Sequence, residues 1–285
     1  MKRTLVSITT VILFTGLLLL ASQPAAMAQT EGAVAHANAG GNAPENSNCG
    51  AGKLFTFGSG LDLFKFCLTD HGNILQLQSP ANYRQITTQE GYVACGTGAA
   101  NAYDAGTAEG GWDVATTITQ PGGANTLPVT ITRNSTDGKF QLKQTFDWNS
   151  AQKEITVTMV LKNLSVASIT NVKLARYFDG DLSSGLNSSD PNDDLYNNDF
   201  DSVLGRDSGA GAGHHGLLLT SLAFAQSHTT AVEAAADFAN TRSTCTPVAA
   251  SVPTAAGDFT GRVTVNLGTL SAGASKTIKV LYRRF

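Results

Sequence analysis

The 285-residue chain is predicted to be all-β, a sandwich of antiparallel sheets, on three observations. Apolar residues alternate with period two through its centre, turn chemistry recurs between short apolar runs, and helical periodicity is nearly absent. Charged residues make up 14% of the chain. That is well below the ~25% usual for soluble domains and argues against long solvent-facing helices rich in Glu and Lys. The formal net charge is −3 with no basic cluster, so the electrostatic footprint of a nucleic-acid binder is missing.

The alternation is clearest where Phe140, Leu142, Phe146 and Trp148 share one parity and Lys139, Gln141, Lys143, Thr145 and Asp147 take the other. This is the pattern of a half-buried strand. After a polar turn, Ile155, Val157, Met159 and Leu161 alternate with Thr156, Thr158 and Lys162, which predicts an antiparallel hairpin with the first strand. Asn163-Leu164-Ser165 then turns the chain into a strand over Ile169–Phe178. Further strands are expected at Lys53–Phe57, Leu61–Leu68, Ile74–Gln78, Trp112–Ile118 and Val129–Arg133, and later at Gly216–Phe224, Arg262–Leu267 and Thr277–Tyr282. Separators such as Asp70-His71-Gly72, Pro121-Gly122-Gly123 and Asp137-Gly138 are turn formers. One short surface helix is expected over the Ala-rich stretch Thr230–Asn240.

At the amino terminus, Lys2 and Arg3 precede an apolar run from Val11 to Ala21, and Ala26-Met27-Ala28 supplies the small-x-small pattern of a cleavage site. Residues 1–28 therefore read as a secretory signal peptide, and the run is too short for a spanning helix, so no transmembrane anchor is expected in the mature chain. Residues 29–52, rich in Ala, Gly and Asn, read as a flexible leader, and residues 53–285 as one sandwich domain. The destination is outside the cytoplasm, secreted or periplasmic. There the even set Cys49, Cys67, Cys95 and Cys245 predicts two disulfides in one of three pairings. No close pair of the C-x2-C kind supports zinc instead.

The segment from Asp179 to Asp207 carries Asp179, Asp181, Asp190, Asp193, Asp194, Asp199, Asp201 and Asp207 against Arg206 alone. Calcium takes six to eight oxygen ligands from a flexible backbone. Asp179, Asp181, Asp190, Asp193 and Asp194 are the candidate ligands, although Ser184 and Asp190 stand where an EF-hand requires Gly and Glu. The competing reading is a solvated acidic loop between strands. Arg176 lies on the apolar parity of Val172, Leu174 and Phe178, and its planar fork calls for a carboxylate, with a nearby Asp the expected partner. Arg176 is thus either a structural ion pair or a ligand contact. Trp112, after Glu109-Gly110-Gly111, is the tryptophan expected to be exposed and able to stack on a sugar, whereas Trp148 has the parity of a core strand. His214, His215 and His228 carry no metal-ligand spacing. No Gly-x-Ser-x-Gly elbow or positioned pair of carboxylates marks a catalytic centre.

The stretch from Thr130 to Phe178, with Arg133-Asn134-Ser135-Thr136-Asp137-Gly138-Lys139-Phe140 leading to Ile155-Thr156-Val157-Thr158-Met159-Val160-Leu161-Lys162-Asn163-Leu164-Ser165, resembles the central strands of galactose-mutarotase-like supersandwiches. That resemblance implies a supersandwich fold. In that family a His opens the strand after the Asn-x-Ser turn, whereas here Ala175-Arg176-Tyr177-Phe178 occupies the run and no Glu follows Glu233, so the epimerase chemistry does not carry over. Arg176-Tyr177-Phe178-Asp179-Gly180-Asp181 and the closing Asn266-Leu267-Gly268-Thr269-Leu270-Ser271-Ala272-Gly273 are similar to exported bacterial β-sandwich proteins of no assigned activity, with an Arg-aromatic-x-Asp-x-Asp element.

The expectation is an exported non-enzymatic module, calcium-stabilised, that binds glycan or another envelope component through Arg176 and Trp112. The alternative is a carbohydrate-active enzyme (epimerase, lyase or hydrolase) on the supersandwich, and a third reading is a structural or adhesive protein. Convergence of His71, Arg176, His214 and the acidic segment in one pocket would favour an enzyme or a metal-dependent binder.

Overall fold

The computed structural model describes residues 53–80, 84–114, 116–123, 125–183, 193–197, 201–207, 216–223, 225–248, 256–257 and 259–284. The leader sequence, Cys49, Asp190, His214 and His215 lie outside them. The strands in chain order are β1 (Lys53–Phe57), β2 (Phe64–Leu68), β3 (Ile74–Gln78), β4 (Arg84–Thr97), β5 (Ala102–Asp104), β6 (Glu109–Gly110), β7 (Thr117–Thr119), β8 (Val129–Asn134) and β9 (Phe140–Asn149). They continue as β10 (Glu154–Asn163), β11 (Ile169–Ser183), β12 (Asp193–Asn197), β13 (Ser202–Asp207), β14 (Gly216–Ser221), β15 (His228–Ala234), β16 (Ala256–Gly257), β17 (Phe259–Leu270) and β18 (Ser275–Arg284). One helix, α1 (Ala235–Thr241), follows β15.

Two nine-stranded antiparallel sheets form the sandwich. The first runs β1-β2-β3-β4-β11-β17-β15, with β5 and β6 added beside β4; the second runs β16-β12-β13-β14-β18-β10-β9-β8-β7. The central hairpin is as expected, with Phe146 opposite Val157 and Leu142 opposite Leu161 in the β9–β10 ladder. Its inward residues Phe140, Leu142, Phe146, Val157, Met159 and Leu161 are fully buried against Phe66, Leu174, Val263 and Val265 of the first sheet. At the end of β10, the Asn163 Nδ2 donates to the carbonyls of Ala167 and Leu270, which fixes the turn into β11 beside the end of β17.

The first sheet is covered on both faces. On the side away from the second sheet, Val93, Ala175 and Tyr177 pack with Phe238 of α1 and with Cys245. Cys95 of β4 and Cys245 form a disulfide that ties this covering segment to the sheet. Under it, Arg262 and Glu233 make a fully buried ion pair at 2.7 Å. The Arg262 guanidinium lies over the rings of Tyr177 and Phe238.

Several expectations are corrected. The helix expected from Thr230 begins only at Ala235, because the preceding residues pair with β17 as β15, with Val232 in the core. Trp112–Ile118 is not one strand: Trp112 makes a single bridge to Ser135, and pairing resumes at Thr117. The acidic segment is not one loop, since Asp179 and Asp181 belong to β11 and Asp193 and Asp194 to β12. The last strand, β18, lies inside the second sheet between β14 and β10.

Replacing Cys95 and Cys245 together by Ala is expected to lower unfolding free energy by about 2–5 kcal/mol, since the bridge closes a separation of 150 residues. Urea unfolding of the variant at an unchanged midpoint would contradict this.

Candidate functional site

Arg176 enters the interior from β11 with its side chain fully buried. Its partner is Glu90 of β4, not an Asp of the acidic segment, and Nη2 lies 2.6 Å from the Glu90 Oε1. The remaining donors cross to other elements: Nε to the Tyr282 hydroxyl (3.1 Å), Nη1 to the Gln144 Oε1 (2.7 Å) and Nη2 to the Gly72 carbonyl (3.0 Å). Tyr282 in turn donates to the Glu90 Oε1, and the Ile74 N–H donates to Oε2. Burial pushes the Glu90 carboxyl above its ordinary range, while Arg176, Tyr282 and the Ile74 N–H pull the other way. All three guanidinium nitrogens are engaged inside the protein, which makes Arg176 a buried structural ion pair.

The network continues through Tyr92, whose hydroxyl donates to the His71 carbonyl and accepts from the Arg133 Nη1. Arg133 occupies the inward parity of β8 after Val129 and Ile131. Its Nη1 lies 2.6 Å from the Asp104 Oδ2, and its Nη2 2.9 Å from the Glu109 Oε2. His71 completes the cluster, with Nδ1 3.1 Å from the Glu109 Oε2 and 3.4 Å from the Asp104 Oδ2. Burial works against the Arg133 charge, yet Tyr92, Asp104 and Glu109 hold its pKa above the usual guanidinium value. The cluster needs β5 to lie close over β4. Gly91 permits this, for a Cβ there would stand 1.7 Å from the Asp104 carbonyl oxygen.

His71, Asp104 and Glu109 present three ligand atoms within 4.8 Å of one another, the spacing of a metal centre. A guanidinium already bridges the same two carboxylate oxygens, so the cation position is taken and the set is a charge-paired cluster. Only its rim meets solvent, through Glu109, whose side chain is 35% exposed. The hydrogen bond from His71, with Arg133 adding to it, holds the Glu109 carboxyl at a pKa of about 2, so Glu109 stays ionised and is unsuited to general-acid work.

Trp112 is not the exposed tryptophan. It is 4% exposed and packs against Tyr92, because the positive φ of Gly111 folds the segment onto the sandwich. Trp148 is the more accessible, half-buried and stacked with Phe57. The two rings line a cleft of about 510 Å3 with Thr56, Asp62, Ala151 and Lys153, where the end of β1 meets the β9–β10 turn. Lys153 Nζ donates to the Asp62 carbonyl at 2.6 Å, while the Asp62 carboxylate stays in solvent. Elsewhere, His228 contacts Asp201 and the Gln226 carbonyl, away from His71. Of the expected calcium ligands, Asp179 is fully buried on β11; the side chains of Asp181, Asp193 and Asp194 lie outside the described residues.

Two outcomes are expected. Glu90→Ala leaves the Arg176 charge buried without its carboxylate and should cost about 3–5 kcal/mol. A urea midpoint equal to wild type would refute the structural role of the pair. The Glu109 carboxyl has a folded pKa near 2 against 4.5 unperturbed. Its stabilisation is therefore present in full above about pH 4.5 and fades as pH falls towards 2. The difference in Tm between wild type and Glu109→Gln should shrink over that window. A difference that stays constant from pH 5 to pH 2 would show that Glu109 is not held in this way.

No protein-family model and no curated protein matches the chain. Among solved structures, a bacterial glucoamylase complexed with acarbose is similar with a TM-score of 0.56 at 9% identity, over 82% of this chain and 33% of that one. A putative aldose 1-epimerase from Escherichia coli K12 (TM-score 0.42, 12% identity, 82% of this chain and 99% of that one) and a polysaccharide lyase (0.38, 10%, 82% and 32%) are more distant. This chain spans about a third of the glucoamylase, and that likeness is one of fold, an antiparallel β-sandwich.

Proposed function

We propose that the protein is an exported carbohydrate-active β-sandwich protein whose sugar contact is the Phe57–Trp148 cleft. The observation that carries this reading is an aromatic stack at an open cleft beside a solvated carboxylate and a lysine. An aromatic face covers the apolar side of a sugar ring, and flanking polar groups take its hydroxyls. A bacterial glucoamylase complexed with acarbose shares the fold, which supports carbohydrate as the ligand class. Nothing in those comparisons favours the non-enzymatic reading over an enzymatic one. The Cys95–Cys245 disulfide fits an oxidising compartment, and among the described residues no helix is long and apolar enough to cross a membrane.

An enzymatic reading places chemistry at the rim of the His71–Asp104–Glu109 cluster, where two carboxylates and an imidazole meet. There Glu109 would act as a fixed negative charge, orienting or stabilising a cationic transition state.

Titration with acarbose and with a panel of soluble polysaccharides, followed by tryptophan fluorescence, tests the binding reading. At least one sugar should bind, and Trp148→Ala should weaken it roughly tenfold, the scale of one lost aromatic stack. Binding that Trp148→Ala leaves unchanged refutes the cleft. Release of products from a bound polysaccharide by wild type and its loss in Glu109→Gln would select the enzymatic reading.

A further inference from the structure

The connection from β9 to β10 runs Asn149-Ser150-Ala151-Gln152-Lys153-Glu154, and a short 3-10 segment over Ser150–Gln152 delivers the chain to Lys153. Lys153 has a φ of +55, in the left-handed region that glycine enters freely and a residue with a side chain enters under strain. Its main chain is held there from outside the turn, because the Arg284 N–H at the end of β18 donates to the Lys153 carbonyl at 3.1 Å. A long charged side chain on a backbone held in this way points to a use for the side chain.

That side chain lies in the Phe57–Trp148 cleft and is 19% exposed, against 91% for the side chain of Asp62. One N–H of the ammonium goes to the Asp62 main-chain carbonyl at 2.6 Å. The Asp62 carboxylate stands 3.9 Å away, beyond hydrogen-bond reach and surrounded by water, so the lysine charge is only loosely paired. The adjacent Glu154 does not compete for it, being engaged by Arg283. An ammonium has three donors, and the Asp62 carbonyl occupies one. Of the two charges that line the cleft, the lysine is the less hydrated, and a charge acts more strongly on a ligand where water is excluded. Asp62 acts through solvent and is screened.

On the reading of this cleft as the sugar contact, we propose that it selects anionic sugars, those with a carboxylate or sulfate beside the ring, and that Lys153 sets the preference. The sugar ring covers the Trp148 face, and the ammonium donates to the anionic oxygen in a charge-assisted hydrogen bond, roughly twice as strong as a neutral one. As a compact charge on a flexible stem, lysine accommodates either anion.

The test titrates the full chain, followed by tryptophan fluorescence, with oligosaccharides of galacturonate, glucuronate and mannuronate, each beside its methyl ester, and with a sulfated galactan oligosaccharide beside its desulfated form. At least one anionic sugar should bind about tenfold more tightly than its uncharged counterpart, and the pair that shows this gap identifies the anion. Lys153→Met keeps the length of the stem and should close the gap, whereas Lys153→Arg should keep it and Asp62→Asn should widen it. Equal binding of charged and uncharged forms, weakened alike by Trp148→Ala, overturns the preference and leaves the cleft as the sugar contact. A gap that persists in Lys153→Met overturns the role of Lys153. Binding indifferent to Trp148→Ala, or no binding at all, overturns the cleft and the preference together.

Discussion

The architecture depends on one charge placed between two sheets. The Arg176 guanidinium reaches Glu90 on its own sheet, Gln144 and Tyr282 on the other, and the Gly72 carbonyl in the β2–β3 turn. Removing both charges from water carries a desolvation cost of several kcal/mol per ion, so the pair adds little over a well-packed apolar substitute. Its consequence is geometric. Each acceptor must sit where the planar fork can reach it, which sets the spacing of β4 and β11 against β9 and β18. Gly72 has φ +93, a backbone conformation that strains any other residue, and a Cβ there would also press on the Gln144 Nε2 at 2.5 Å, so the turn favours glycine.

The position of the solvent-facing cluster follows from this hub. The Gln144 Oε1 accepts from Arg176, and its Nε2 donates to the His71 carbonyl at 3.4 Å. The Tyr92 hydroxyl holds the same carbonyl and touches Arg133. His71 is therefore held by its main chain from within, and its ring is left to meet Asp104 and Glu109 at the surface. A second buried pair, Arg262 with Glu233, repeats the device on the opposite face beneath α1. Because both faces of the first sheet are covered, β11 buries Leu174, Ala175, Arg176, Tyr177 and Phe178 in succession.

That double burial explains what could be read from the sequence. The β9–β10 hairpin was legible because one face of each strand meets water, so apolar and polar residues alternate. The fourteen-residue β4 was not, since Arg84-Gln85-Ile86-Thr87-Thr88-Gln89-Glu90-Gly91 has no alternation and Glu90 points inward to a partner far along the chain. Arg176 stood out as a cation on an apolar parity. Arg133 obeys the same rule after Val129 and Ile131, and applying it there would have found the cluster. Its carboxylates, Asp104 and Glu109, carry no local mark, because their meeting depends on β5 and β6 joining the edge of β4. The glycines before Trp112 suggested exposure, yet Gly111 serves a tight turn that buries the indole.

The same accounting locates the chemistry. Arg176 and Arg133 have their donors engaged by interior acceptors, and Asp104 is held by Asn73, the Gly106 N–H and Arg133. Groups fixed in this way are too fully satisfied to exchange partners with a ligand without breaking the network that joins the sheets. Among the described residues of this network, the groups left within reach of a ligand are those at its margin, the Glu109 carboxylate and the His71 ring edge; the aromatic cleft where Lys153 and Asp62 flank Trp148 shares no residue with it. Glu109 and His71 are constrained by Arg133 and Asp104, which suits a fixed electrostatic role. Trp148 has a stacking partner but no buried polar obligation on its ring, so a ligand can cover it without displacing an internal hydrogen bond.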